Sequence, residues 1–491
     1  MLALRQMIRV GMNGLKAAVA VALILVLQAA CARDADALST PTPLAFVYQV
    51  EVSPTPTPFP IPRLTATPKP TPEPTSTFDP GQVILPLTDV PARTPTPTTT
   101  DPMAMLLDAI GFKVNVIREL SSKKAVDREL ITRENLGVRL REILEEDREE
   151  TYQRQRLFST LGILPKDTDL FELLHSLYGE GVLGYFRRGE NKIFVVRDAD
   201  EFGPAHARTY AHEFVHNLQQ QHFDSKAMVD RLKSNADALR AFEALEEGDA
   251  RLAELLYIFE HMEEEERTAS QGEASVKLIR AFRAAPHVIQ RSYLFPYVEG
   301  LDFASAIYRI NGWDGLNRAY QEPPASTEQI LHPEKYLGGD PPIDVELPNL
   351  FLVLGTGWTR LSYDTMGEFL LLAYLETGFS PAKAAVAAQG WGGDRYALYS
   401  GPDDENVLIW TVVWDTEQDS REFYDVFSEF TEARTGVEKT GVGEDPNSTY
   451  LLTPGEVVFI GLELQSTLVI FAPDLEIVEM LKTATLGKSD G

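Results

Sequence analysis

A single cysteine, Cys31, stands among the 491 residues. It excludes an internal disulfide and any thiolate metal cluster. Basic residues are also scarce: 45 Lys and Arg face 73 Asp and Glu, a formal net charge of −28. A chain so acidic lacks the broad cationic face that neutralises phosphates, which argues against nucleic acid as a partner. The lone cysteine lies at the N-terminus, and the one G-x-S-x-G, residues 487–491, follows a helical pattern instead of joining a strand to a helix, so serine and cysteine nucleophile chemistry has no supported motif to rest on. Histidine is sparse too, with eight in all, yet His212, His216 and His222 fall within eleven positions.

What is present comes in blocks. Arg5, Arg9 and Lys16 precede the apolar run "AAVAVALILVLQAAC". A basic stretch, then an apolar one, then small residues, is the pattern of an export signal. It resembles a bacterial lipoprotein signal over residues 1–31, which implies that Cys31 carries lipid and holds the chain on the outer side of a cell membrane. Residues 32–102 follow, dominated by "SPTPTPFPIP", "TPKPTPEPTSTF" and "RTPTPTTT". Proline removes backbone donors and favours extended polyproline geometry, so this block reads as a semi-rigid, disordered spacer.

Apolar periodicity begins near Met103. With 44% hydrophobic residues, the remainder can bury a sizeable core. Leu136, Leu140, Ile143 and Leu144 share a helical face, with Thr132 placed as cap and Gly162 as stop. "DLFELLHSLYG" reads as a second helix, with His175 inside its apolar pattern. "GVLGYFRRGENKIFVV" reads as a β-hairpin turning at "RRGEN".

The histidine-rich stretch is "YAHEFVHNLQQQHFD". His212, Glu213 and His216 spell H-E-x-x-H. Four helical residues advance about 400°, so both imidazoles lie on one face and can grip one ion. Glu213 projects beside them, where a carboxylate can act as general base. Ala211, Phe214, Val215 and Leu218 form an apolar stripe on the other side, suited to burial. Zinc needs a third protein ligand and an open position for water. His222 offers metzincin spacing, but Gln219 stands where a glycine would let the chain turn back. Glu247, in "ALEEGDA", sits on a second long helical pattern and is favoured over His222. Glu243 and Glu246 fall at other helical angles. Asp249 is either a residue that orients a histidine ligand or an ordinary surface charge.

The chain resembles a group of bacterial gluzincin-like zinc metallopeptidases of exported type. The resemblance rests on "GYF", "NKIFVV", "HEFVHNLQQQHFD", "ALEEGDA", "FPYVEGLDFASAIYRINGW", "PPASTEQILHPEKY" and "GWGGDRYALY", and covers roughly Leu161 to Trp414. It implies Zn²⁺ on His212, His216 and Glu247, Glu213 as base, and a peptide or protein substrate. It also implies a later histidine or tyrosine that hydrogen-bonds the oxyanion; His332 is the first candidate and Tyr297 the second. An unremarkable alternative for His332 is a turn capped by Ser326 or Thr327, with Glu328 in the first turn.

The expected fold class is α+β: a mainly helical zincin-like domain over 103–345, then an antiparallel α+β region over 346–491. The latter reads as a degenerate ββα repeat, a small antiparallel sheet with helices on one face. The competing functional readings are a zinc-binding surface module without peptidase activity and an envelope scaffold, each on a Pro/Thr stalk.

Overall fold

The computed structural model describes residues 101–179, 182–197, 202–270, 276–438 and 445–487. The expected export signal with Cys31, and the expected spacer up to residue 100, lie outside the described residues. The last spacer residue is already folded: helix α1 (Pro102–Arg118) starts on it, with Asp101 capping the Met103 amide at 3.0 Å. Proline at a first helical position costs no hydrogen bond, because that amide would have no partner in any case.

Strand β1 (Asp127–Ile131) follows, then α2 (Arg133–Glu146) and α3 (Arg148–Thr160). The sequence suggests one helix through this stretch. Its predicted cap is found, since Thr132 Oγ1 accepts from the Asn135 amide at 3.2 Å. The helix nevertheless breaks at Asp147. Helix α4 (Leu170–Gly179) leads to β2 (Gly184–Arg187) and β3 (Lys192–Val196), the predicted hairpin. Its turn residue Asn191 has φ 51°, a conformation asparagine tolerates. β1 adds to β3 in parallel, giving the order β1-β3-β2. β2 is therefore an edge strand, and it lies against the next helix.

That helix is α5 (Pro204–Phe223), which carries H-E-x-x-H. After α6 (Ser225–Leu232) comes the long α7 (Ala236–His261), capped by Asn235. Helices α8 (Glu264–Ser270) and α9 (Val276–Ala284) precede α10 (His287–Ala319), bent at Gly312, where φ is 59°. The stripe predicted on α5 is buried, with Ala211, Phe214, Val215 and Leu218 all at 4% exposure or less. α7 and α10 pack so closely that neither tolerates a side chain at the crossing. A Cβ on Gly248 would lie 2.0 Å from the Gly300 carbonyl oxygen, and one on Gly300 would lie 2.2 Å from that of Ala244.

Short helices α11 (Thr327–Leu331), α12 (Pro333–Gly338) and α13 (Phe351–Leu354) lead into the C-terminal part. It comprises β4 (Thr359–Asp364), α14 (Gly367–Leu375), α15 (Pro381–Ala388), β5 (Trp391–Ser400), β6 (Asn406–Trp414), α16 (Glu417–Thr435), β7 (Ser448–Thr453), β8 (Glu456–Glu463), β9 (Ser466–Ala472) and α17 (Leu475–Leu486). The six strands form one antiparallel sheet in the order β4-β5-β6-β9-β8-β7. The expected single covered face is a misreading. Leu408, Trp410, Val412 and Trp414 pack with Phe423 and Phe427 of α16, while Val407 and Ile409 pack with Val478 and Leu481 of α17 on the other face. Strands apolar at nearly every position, like "VLIW", carry that two-sided burial in their composition. Trp391, Trp410 and Trp414 are core residues, at most 1% exposed.

The described part is thus α+β, with its helices and six-stranded sheet joined. One hydrophobic cluster runs from Leu107 to Phe471, across the boundary drawn at residue 345.

Candidate metal centre

α5 and α7 lie side by side and aim polar groups at each other from otherwise apolar faces. His212 and His216 come from α5, and Glu247 from α7. His212 Nε2 lies 3.1 Å from His216 Nε2 and 3.1 Å from Glu247 Oε2; His216 Nε2 lies 3.5 Å from the same oxygen. Ligand bonds of about 2.1 Å at tetrahedral angles would space neighbouring donor atoms about 3.4 Å apart. The three donors therefore suit one small divalent ion.

Each histidine is fixed by its other nitrogen. His212 Nδ1 donates to Glu254 Oε2 at 3.1 Å, and His216 Nδ1 donates to Gln219 Oε1 at 2.8 Å. With an acceptor at each Nδ1, the Nε2 lone pairs are turned towards the cluster, as a metal requires. The supports are supported in turn. Arg208 and Arg251 hold Glu254, at 2.7 and 2.6 Å. Gln219 Nε2 donates to the Glu246 carbonyl and to Asp249 Oδ2, at 2.9 and 3.1 Å. Asp249 also takes Arg118 Nε at 2.7 Å and the Tyr320 hydroxyl at 2.9 Å.

The charges follow from these contacts. Burial penalises the charged His212 ring, but its bonds to Glu247 and Glu254 outweigh that, and its pKa is pushed up to about 10. Burial would likewise raise Glu247, yet the two histidines hold it well below the ordinary carboxylate range. Glu254 is held low against its burial by Arg251, His212 and Arg208. The imidazoles and the Glu247 carboxylate are placed as an ion pair whose proton a metal would replace. Glu213 differs. Burial raises its pKa, the histidines and the Phe186 amide of edge strand β2 lower it, and the Glu247 charge raises it, with a net rise.

The other predicted residues divide. His222 is turned away from the cluster: its Nε2 donates to the Ser121 carbonyl at 2.8 Å, and α5 stays helical through Phe223. Without a glycine at position 219 the chain does not turn back to the metal. His332 makes its contacts away from the three clustered donors. Its Nε2 bonds Glu368 at 3.0 Å in the joint between α12 and α14. Nearby Thr327 is pinned to Asp237, ten residues or about 15 Å along α7 from Glu247. Ser326 caps α11 by accepting from the Gln329 amide, which fits the capped-turn alternative for this stretch. Tyr297 is the residue that reaches the cluster, its ring 6.4 Å from that of His212 and its hydroxyl acted on chiefly by Glu247. Asp249 is neither a surface charge nor a direct partner of a ligand; it is fully buried and reaches His216 through Gln219.

The sequence pattern points to no role for Glu254 or Arg118, and for Gln219 it shows only the missing glycine. Glu254 still carries a signal of position: seven residues after Glu247, it repeats that residue's helical face within an apolar helix. Arg118, 131 positions from its partner, carried none.

The family described as "Domain of unknown function (DUF8575)" matches residues 355–480. That stretch holds the six-stranded sheet and leaves the metal cluster outside it. No curated protein and no solved structure matches the chain.

Proposed function

We propose that this chain is a zinc-dependent metallopeptidase of gluzincin-like type, with a zincin-like helical domain, tethered outside a cell membrane. The observation that carries the reading is the convergence of His212, His216 and Glu247 with Glu213 beside them. Three protein donors leave one position open, as catalytic zinc sites do and closed structural sites do not. When bound, zinc would supply the positive charge that acidifies water and polarises a carbonyl.

The protein's own groups do the rest. Glu213 takes a proton from the attacking water and later delivers it to the leaving amine. Its position against β2 gives the carboxylate a fixed approach, and burial moves its pKa upward. Gln219 and Glu254 keep both imidazoles in one tautomer and one orientation. Tyr297, partly exposed beside His212, is the group suited to meet the charge that develops on the substrate carbonyl.

Substituting Glu213→Gln preserves shape and removes basicity. The zinc-loaded variant should bind metal like wild type and lose peptide hydrolysis; cleavage of a peptide library at the wild-type rate would end this reading. The tether is proposed on the export signal and Cys31. Cys31→Ser should move the processed protein from the membrane fraction to the soluble one, and unchanged fractionation would count against lipid anchoring.

A further inference from the structure

A glutamine amide has two unlike ends, an oxygen that accepts and a nitrogen that donates. Gln219 presents its oxygen to His216 Nδ1, at 2.8 Å. Nδ1 then carries the proton of the neutral ring, and Nε2 keeps a lone pair for the cluster. Turned end for end, the amide would donate to Nδ1, the proton would sit on Nε2, and His216 could not hold a metal there. The orientation of one buried amide therefore decides whether the second histidine is a ligand. What sets that orientation lies at the other end of the amide.

Gln219 Nε2 faces two acceptors, the Glu246 carbonyl at 2.9 Å and Asp249 Oδ2 at 3.1 Å. Reversal would set an oxygen against both. Asp249 is itself gripped at both oxygens. Arg118 Nε donates to Oδ1 at 2.7 Å and Nη2 donates to Oδ2 at 3.2 Å, while the Tyr320 hydroxyl donates to Oδ2 at 2.9 Å. A two-point guanidinium grip fixes the plane of a carboxylate, which a single contact does not. Among the described residues, Arg118 is the only cation paired with Asp249. Its own surroundings are unusual for an arginine. Both side chains of the pair are fully buried, the Trp313 ring lies 4.5 Å from the guanidinium carbon, and among the described residues Nη1 has no hydrogen-bond partner. Filling a core with a guanidinium that has an unmet N–H is costly, and an apolar side chain would pack there more favourably. The directed grip on Asp249 is what an apolar side chain could not supply.

We infer that Arg118 is a positioning residue of the metal centre: through Asp249 and Gln219 it selects the His216 tautomer that leaves Nε2 free for a metal. The relay joins three helices at the site, since Arg118 closes α1, Asp249 lies on α7 and Gln219 on α5. Metal affinity thereby depends on the first described helix, far outside the H-E-x-x-H segment. The Glu246 carbonyl holds the same amide orientation by one bond, so loss of the grip should weaken the preference without abolishing it. The inference rests on the metal part of the proposed function and needs no peptidase activity.

The test uses full-length protein and zinc. Affinity is read by competition with a chelator, stability by melting temperature, and tautomers by nitrogen-15 NMR of histidine-labelled protein. In zinc-loaded wild type, His216 should carry its proton on Nδ1 and zinc on Nε2. Arg118→Met should weaken zinc about tenfold or more. It should also lower the melting temperature, because Asp249 is left buried without its cation. Adding Asp249→Leu removes both charges, so stability should recover relative to Arg118→Met while zinc affinity stays about tenfold down. In that double variant the His216 signals should change and those of His212 should not. A pair with a merely structural role would recover affinity together with stability. That joint recovery, zinc affinity within about twofold of wild type in the double variant, or wild-type His216 bound through Nδ1 would each overturn the inference. The double variant and the wild-type spectrum keep the test decisive if Arg118→Met alone does not fold. Wild-type protein that takes up no zinc would end the metal reading and this inference with it, whereas zinc uptake without hydrolysis would end only the peptidase reading.

Discussion

Gly248 follows Glu247, the carboxylate of the candidate metal cluster, and in a helix interior it is an unfavourable residue. Replacing such a glycine by alanine ordinarily stabilises by about 0.5–1 kcal/mol, because the unfolded chain loses freedom. Here the sign should reverse. The new Cβ would lie 2.0 Å from the Gly300 carbonyl oxygen, 2.3 Å from its carbon and 3.0 Å from the Leu301 nitrogen. All three are backbone atoms of α10, so no rotamer change relieves the overlap. The helices must separate, and residues buried along the contact, such as Ala244 and Ala304, lose packing. Overpacking of this kind costs about 1–3 kcal/mol, which exceeds the propensity gain. Glu247 would shift with its backbone while the histidines stay on α5, so metal affinity should fall as well. Urea unfolding of metal-free Gly248→Ala, with metal titration of the folded protein, reads both effects. Gly137→Ala on α2 is the control, since nothing lies within 4 Å of its Cβ and its φ is not positive. That variant should gain about 0.5–1 kcal/mol. A Gly248→Ala protein as stable as wild type, with undiminished metal affinity, would refute the claim that this crossing sets the ligand's position.

The metal ligands and their supports predict an order of losses, measured by competition with a chelator. Glu247→Ala should weaken binding most. Gln219→Leu should cost about 10–100-fold by freeing His216, and His222→Ala should change affinity less than twofold; a larger loss for His222→Ala than for Glu247→Ala would move the third ligand. For pH, Asp237 is the telling group. It is buried, accepts from the Thr327 amide and hydroxyl, and burial outweighs those bonds to push its pKa up to about 7. Between an unfolded value of about 3.9 and that folded value, the native state keeps a proton that the unfolded chain has lost. The Asp237 contribution is therefore full at low pH and is lost as pH rises through this window. Asp237→Asn should gain urea resistance relative to wild type between pH 4.5 and pH 8, and parallel pH profiles for the two proteins would count against it.

The sequence disclosed best what a local period encodes. H-E-x-x-H reads directly because a four-residue advance along one helix is what puts both imidazoles on one face, and the Thr132 cap and the "RRGEN" turn are equally local. The antiparallel sheet of the C-terminal region is legible for the same reason. The failures share a cause in distance. β1 carries little signal of its own because "RELI" is short, and its strand state comes from parallel pairing with β3, some 65 residues on. His332 looked available in a loop between prolines, and nothing nearby in sequence announces Glu368 as its partner.

Gln219 shows how a correct local rule can miss a role. Lack of glycine at that position was a reason to set His222 aside, and α5 does stay helical there. The same residue then does something that the rule does not mention. Three positions after His216, its carbonyl oxygen reaches the imidazole on the same helix face, while its amide reaches across to Asp249 on α7. A glycine would have freed the chain to bring a third histidine back. Glutamine instead keeps the helix straight and ties the second histidine to the helix that brings Glu247. The choice of third ligand and the support of the second are thus one structural decision, made at one residue. It follows that Gln219→Gly should loosen His216 without recruiting His222, since the Ser121 contact and the α1–α5 packing still hold His222 away.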